Sequence, residues 1–242
     1  MKRTVIILGG GKGLRMGGQL PKQFIPLKGK PALMHTLDVF YRWDASLDIV
    51  LVLPEEYVAY WEMLCKELNC SIPHQTVHGG ETRFHSVRNG LLSLPISPRH
   101  CEAHPRHCEA RSNLSPTTSL IAVHDGVRPF VSPEVITTCF EMAETYGAAI
   151  PVVPMIDTVR VLNGSDNCAF DRNRLCIVQT PQVFHADILQ KAYEQPYNKR
   201  FTDDASLVEA SGHPIHLVEG NCENIKITTP ADIQYARLLI EN

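Results

Sequence analysis

The sequence predicts an α/β fold, a doubly wound, mostly parallel sheet with helices on both faces. Three observations carry this. Short apolar runs alternate with amphipathic stretches at the spacing of βαβ units. The runs Val5-Ile6-Ile7-Leu8 and Ile49 to Leu53 are continuous rather than alternating, as strands buried on both faces should be. Several runs also end directly in Gly, Asp, Arg or Lys, where sheets of this type place their ligands.

In chain order, Thr4 to Leu8 is the first strand, followed by a glycine turn (Gly9, Gly10, Gly11, Gly13) and Pro21-Lys22-Gln23-Phe24. Leu33, Leu37 and Phe40 recur at helical spacing within a helix over 32–41. Ile49 to Leu53 is a strand and 55–68 a helix. Thr76 to His78 is a short strand running into Gly79-Gly80, and a helix over 86–94 follows with Val87, Leu91 and Leu94 on one face. Leu120 to His124 is a strand ending at Asp125, 135–146 a helix and Ala148 to Val153 a strand.

Two stretches interrupt the alternation. Residues 97–118 hold Pro-Arg-His-Cys-Glu-Ala twice, at 98–103 and 105–110, and read as a low-complexity loop inserted outside the core. Metal binding by His100, Cys101, His104, His107 and Cys108 is the alternative, but no CxxC pair or patterned helix supports it. Asp157 to Val183 reads as a long hairpin leaving the sheet. Asn163-Gly164 is its turn, between Thr158 to Leu162 and Ile177 to Gln179. Such an arm, over 155–183, cannot bury itself alone and calls for a second subunit.

The 242 residues suit a single domain with a full core. With 23 Lys+Arg against 26 Asp+Glu, the formal charge is −3, leaving no basic excess to hold a nucleic acid. No apolar run approaches the roughly 20 residues of a membrane span. The eight cysteines form no CxxC pair and read as reduced thiols. A cytoplasmic protein is expected, with neither nucleic acid nor membrane as partner.

Chemistry concentrates first in Gly9-Gly10-Gly11-Lys12-Gly13-Leu14-Arg15-Met16, with Pro21-Lys22-Gln23 behind it. Glycines after a buried strand let backbone N–H groups approach phosphate oxygens, and Arg15 and Lys22 add positive charge. No Gly-Lys-Ser/Thr closes the loop as in a Walker A motif. Met16 stands where a dinucleotide fingerprint needs its third glycine.

This loop resembles the signature of sugar-phosphate nucleotidylyltransferases. Further blocks narrow the likeness: Gly79-Gly80-Glu81-Thr82-Arg83-Phe84-His85-Ser86-Val87, Val123 to Pro129, Asp157-Thr158, Asp171-Arg172-Asn173, Gln179 to Gln182, Thr202 to Ser206 and Asn224 to Thr228. In this order they resemble the 2-C-methyl-D-erythritol 4-phosphate cytidylyltransferase family of the non-mevalonate isoprenoid pathway, over almost the whole chain except the repeat.

The resemblance implies a Rossmann-like nucleotidyltransferase fold and the transfer of CMP from CTP to 2-C-methyl-D-erythritol 4-phosphate, releasing pyrophosphate. By resemblance, Arg15 and Lys22 stabilise charge at the α-phosphate, and Asp125 is the Mg²⁺ ligand. Gly9, Gly10, Gly11, Gly13, Gly80, Glu81 and Ser86 address the nucleotide. Glu81 departs from the Asp often found there, and Ser86 also stands at the start of the helix over 86–94, where an N-cap role competes. Arg128, Arg172 and Lys226 meet the alcohol phosphate, with Thr158, Thr180 and Thr202 as hydroxyl donors. The resemblance also implies a homodimer in which the arm brings Thr158, Arg172 and Thr180 to the neighbouring site. A cytidylyltransferase for another polyol phosphate, such as ribitol 5-phosphate, is the alternative.

Overall fold

The computed structural model describes residues 1–10, 20–95 and 119–241. Gly11, Gly13 and Arg15, and the repeat at 98–110, lie outside the described residues. The chain begins with β1 (Arg3–Leu8), a 3-10 turn at Lys22–Phe24, and the small antiparallel pair β2 (Pro26–Leu27) and β3 (Lys30–Pro31). Then come α1 (Ala32–Trp43), β4 (Asp48–Leu53), α2 (Val58–Glu67), β5 (Gln75–His78) and α3 (Arg83–Leu92). After the insert, β6 (Leu120–Asp125), α4 (Pro133–Tyr146) and β7 (Ala148–Pro154) follow. The chain continues through β8 (Val159–Asn163), β9 (Asp166–Phe170), β10 (Cys176–Val178) and β11 (Gln182–His185). It closes with α5 (Ala186–Ala192), α6 (Asp204–Ala210), β12 (His216–Glu219) and α7 (Pro230–Glu241).

One sheet runs β10-β7-β11-β6-β1-β4-β5, with β12 also paired to β7. The pairs β6·β1, β1·β4, β4·β5 and β12·β7 are parallel, and β11 enters antiparallel between β6 and β7. Successive residues of the central strands face opposite cores. Val5, Ile7, Leu51, Leu53, Leu120 and Ala122 pack with α1, α2 and α4. Ile6, Val50, Val52, Ile121 and Val123 pack with α3, α5 and α6. That double burial is why these strands read as unbroken apolar runs.

Local chemistry sets the element ends. Ser132 caps α4 by accepting from Val135 N–H, Pro133 opens it, and Gly147 closes it at φ 89°. Asp203 and Ser206 form a capping box on α6. Helix α3 begins three residues earlier than the pattern predicts, because Thr82 caps it by accepting from His85 N–H. Ser86 therefore sits inside the helix and is not its cap.

The hairpin differs from expectation. Its turn is at Asn163-Gly164 as predicted, with Gly164 at φ 62°. The returning strand, however, is β9, with Val159 opposite Phe170 and Asn163 opposite Asp166. Ile177 and Val178 instead pair with Val153 and Val152 of the main sheet. The reason is length: β7 runs past β11, and its last residues need a partner for their backbone groups. The β8–β9 pair belongs to neither sheet core and is exposed along most of both strands. Among the described residues no helix is long and apolar enough to cross a membrane.

Candidate active site

Strand order reverses at β1: the chain moves outward through β4 and β5, then returns to β6 on the other side of β1. The crevice beyond the carboxyl ends of β1 and β6 is where such a sheet binds ligands. Leu8 and Asp125 are register partners there, so Gly9 and the carboxylate leave the sheet side by side.

On one flank, Gly9 and Gly10 follow β1 while Gly79 and Gly80 follow β5. Gly9 N–H donates to Val52 C=O at 2.8 Å and Gly79 N–H to Leu53 C=O at 2.7 Å, extending both ladders by one rung. A side chain on Gly9 would lie 2.4 Å from Leu53 Cδ2, and one on Gly80 would lie 2.4 Å from His85 Cβ and 2.9 Å from its carbonyl carbon. Ser86 lies between the two turns: its hydroxyl accepts from Gly80 N–H at 3.1 Å and reaches Thr82 C=O at 3.0 Å. Gly10, Gly80 and the Glu81 carboxylate are exposed at the rim. The structure thus brings Gly9, Gly10, Gly80, Glu81 and Ser86 to one lip of the crevice.

On the other flank, Asp125 Oδ2 accepts from Lys226 Nζ at 2.9 Å and from Arg128 Nε at 3.3 Å. Gly126 makes the approach possible: a side chain there would meet Leu8 C=O at 2.9 Å. Burial pushes the Asp125 carboxyl up, but the cations Lys226, Arg83 and Arg128 outweigh it and hold the group far below the usual carboxylate range.

Behind this cluster lies a buried polar network. Arg128 Nη1 donates to Asn224 C=O at 2.7 Å, fixing the loop that carries Lys226. The Asn224 amide donates to Thr180 C=O at 2.9 Å. Asp125 N–H donates to Thr180 Oγ1 at 3.1 Å, and that hydroxyl lies 3.0 Å from His124 Nδ1. His124 Nε2 faces Arg128 C=O at 3.0 Å. A carbonyl can only accept, so Nε2 carries the proton and Nδ1 accepts from Thr180. Burial pushes the His124 ring down to about 4, so it is neutral at physiological pH.

Thr180 therefore lies in the short segment that joins β10 to β11 in the main sheet, and not on the hairpin; its hydroxyl is engaged by Asp125 and His124. Thr202 is exposed just ahead of the α6 capping box. Thr158 and Arg172 stand apart from both flanks. Thr158 is exposed before β8, and Arg172, in a 3-10 turn beyond β9, donates to Ile156 C=O. Lys22 opens the turn whose Phe24 is clamped by Tyr57, Tyr60 and Trp61, with centroids 5.6, 5.1 and 6.4 Å away.

Residue reasoning assigned no role to His124, Gln182, Tyr193, Arg83 or Asp204. Arg83 grips Asp204 through two hydrogen bonds, Nη1 to Oδ1 at 2.9 Å and Nη2 to Oδ2 at 2.6 Å. The available signal was their position inside the motif blocks, apart from Tyr193, which lies in none.

The family model IspD, 2-C-methyl-D-erythritol 4-phosphate cytidylyltransferase, matches residues 3–104 and 107–242. Proteins of that name from Bacteroides thetaiotaomicron and Bacteroides fragilis are each 50% identical over 240 residues, covering 99% of this chain and 100% of theirs. Among solved structures, a 4-diphosphocytidyl-2C-methyl-D-erythritol synthase from Anaerococcus prevotii superposes with a TM-score of 0.77 at 25% identity, covering 100% of this chain and 99% of that one. The 2-C-methyl-D-erythritol 4-phosphate cytidylyltransferase of Thermus thermophilus superposes at 0.71, with 30% identity and 100% coverage of both chains. A glycine turn and a cation-ringed aspartate at one switch point, in a chain matched end to end, place this protein in the 2-C-methyl-D-erythritol 4-phosphate cytidylyltransferase family.

Proposed function

We propose that the protein transfers the cytidylyl group of CTP to 2-C-methyl-D-erythritol 4-phosphate, giving 4-diphosphocytidyl-2-C-methyl-D-erythritol and pyrophosphate. An oxygen of the alcohol phosphate attacks the α-phosphorus of CTP, and the bond from that phosphorus to the bridging oxygen of pyrophosphate breaks. Negative charge gathers on the α-phosphate as this happens, so placement and positive charge carry the catalysis. The observation that supports this reading most is the pairing of Leu8 with Asp125, which sets the glycine turn beside a carboxylate ringed by Lys226 and Arg128.

Each group then has a task. Gly9, Gly10, Gly80 and Ser86 offer main-chain and hydroxyl groups to the edge of a cytosine, and Gly11 and Gly13 are assigned to the nucleotide with them. Arg15 and Lys22 stabilise charge at the α-phosphate. Arg128, Lys226 and Thr202 receive the alcohol phosphate, while Thr180 holds the Asp125 backbone through the hydroxyl it spends there.

The donor set suits Mg²⁺, which takes few protein carboxylates and fills its shell with phosphate oxygens and water. Asp125 would hold it, with Lys226 and Arg128 both addressing its Oδ2. When bound, the ion neutralises triphosphate charge.

The hairpin supports a homodimer. On β8, Val161 and Leu162 are 43% and 79% exposed, and a two-stranded hairpin holds its shape poorly without cover. In a second copy's crevice, Thr158 and Arg172 would reach the alcohol phosphate. Unpaired Cys65, Cys70, Cys139, Cys168, Cys176 and Cys222 suit a reducing cytoplasm.

The test is pyrophosphate release with CTP and Mg²⁺, offering 2-C-methyl-D-erythritol 4-phosphate and ribitol 5-phosphate in parallel and weighing the product by mass spectrometry. Faster turnover of the methylerythritol compound is expected; faster turnover of ribitol 5-phosphate overturns the substrate assignment.

A further inference from the structure

Arg83 is the first residue of α3, directly after the Gly79–Thr82 turn on the nucleotide lip. Its partner Asp204 is fully buried and is the first residue of α6, two places after Thr202. Asp204 Oδ1 also accepts from Tyr193 OH at 2.5 Å. Its backbone N–H and that of Ala205 donate to Gln182 Oε1 at 3.1 and 3.0 Å, while Gln182 Nε2 donates to Asp203 Oδ2 at 2.7 Å. Gln182, itself buried, is the register partner of Val123 on β6, two residues before Asp125.

The loop bearing Thr202 is therefore tied twice. Gln182 binds it to β11, the neighbour of the strand that ends in Asp125, and Arg83 binds it to the nucleotide turn. The second tie is more than α6 needs for its own start, since the Asp203–Ser206 capping box already satisfies that end. A packed apolar pair would hold two helices without the cost of desolvating a carboxylate. What a bidentate Arg–carboxylate pair adds is direction, because its planar fork accepts one relative orientation.

We infer that Arg83 is a positioning residue: through Asp204 it holds the Thr202 loop at a set distance from Asp125, so that the nucleotide turn and the alcohol-phosphate side form one rigid frame. It touches neither substrate. This rests on the proposed assignment of Thr202 to the alcohol-phosphate side.

Steady-state kinetics test it. Arg83→Lys keeps the charge but loses the fork. It is expected to raise KM for 2-C-methyl-D-erythritol 4-phosphate roughly fivefold or more while KM for CTP moves by less than about twofold. Arg83→Lys with Asp204→Glu, a shorter cation facing a longer carboxylate, restores the contact without the fork, so KM is expected to stay raised. A merely structural role would lower the active fraction, and so apparent kcat, with both KM values intact; that result overturns the inference, as does return of the paired variant to the wild-type KM. Should Arg83→Lys not fold, Tyr193→Phe removes one hydrogen bond from Asp204 and is expected to move the same KM by about twofold. An unchanged KM in that variant also overturns the inference. If the wild-type protein turns over a different polyol phosphate, the substrate assignment fails separately, and the same KM comparison on that substrate decides the role of Arg83.

Discussion

His124 has both ring nitrogens engaged inside the protein, Nδ1 by the Thr180 hydroxyl and Nε2 by the Arg128 carbonyl, so a second proton has no place to go. Its folded value of about 4 lies below the ordinary 6.5, so between these values the unfolded chain binds more protons than the folded one. Stability is then complete above pH 6.5 and falls as pH drops toward 4, by about 2–3 kcal/mol from this residue. His35, also lowered by burial, adds in the same direction. Asp125, depressed below its ordinary value, adds a further loss under still more acid conditions. Urea titrations from pH 7 to 4 should show the decline, and His124→Asn should flatten the limb above pH 4. Lys22 belongs to the same scale. Lys22→Ala should lower kcat roughly 10²-fold while the fold persists, since Phe24 of the same turn packs against Tyr57, Tyr60 and Trp61. An unaltered kcat removes Lys22 from the mechanism. The chemical identity of Asp125, Lys226 and Arg128 was legible as motif residues. That Thr180 serves Asp125 from inside the sheet was not, because a lone Thr in a β-rich stretch carries no mark of its partner.

Among the elements, the hairpin shows most clearly where local signals stop. Asn163-Gly164 announced a turn, and a turn is there. Which strand returns was ambiguous, since Asp166 to Phe170 is polar and irregular while Cys176 to Val178 is apolar; the apolar segment went to the main sheet, where β7 had backbone groups unpaired. In the proposed dimer a second copy would cover the exposed Leu162 and Val161. Leu162→Asp should shift the protein from dimer to monomer in light scattering and cut turnover, because Thr158 and Arg172 would lose their place; a dimer of full activity would detach the hairpin from assembly. Helix α3 teaches a smaller lesson. Its apolar face was visible from Val87 onward, but Thr82, three residues ahead of His85, set the start by a cap that hydrophobic spacing does not reveal.

At the scale of the whole molecule, the two cores on opposite faces of one sheet are what bring β1 and β6 together, and with them the glycine turn and Asp125. Asp125 is already balanced by Lys226 and Arg128, so the fold does not need a cation at this point. Chelation with EDTA should therefore abolish pyrophosphate release while leaving the melting curve in place. A melting temperature that falls with chelation would assign the metal a structural role. The alternation of apolar runs with amphipathic stretches determined the parallel half of the sheet, the strand ends and the chemistry clustered there, because burial on two faces and glycine at a turn are constraints each residue meets locally. Only the tertiary structure decided the antiparallel entry of β11, the course of the hairpin and the Arg83–Asp204 tie. Those depend on which backbone groups and charges remain to be satisfied once distant segments have met, a condition that no stretch of sequence carries within itself.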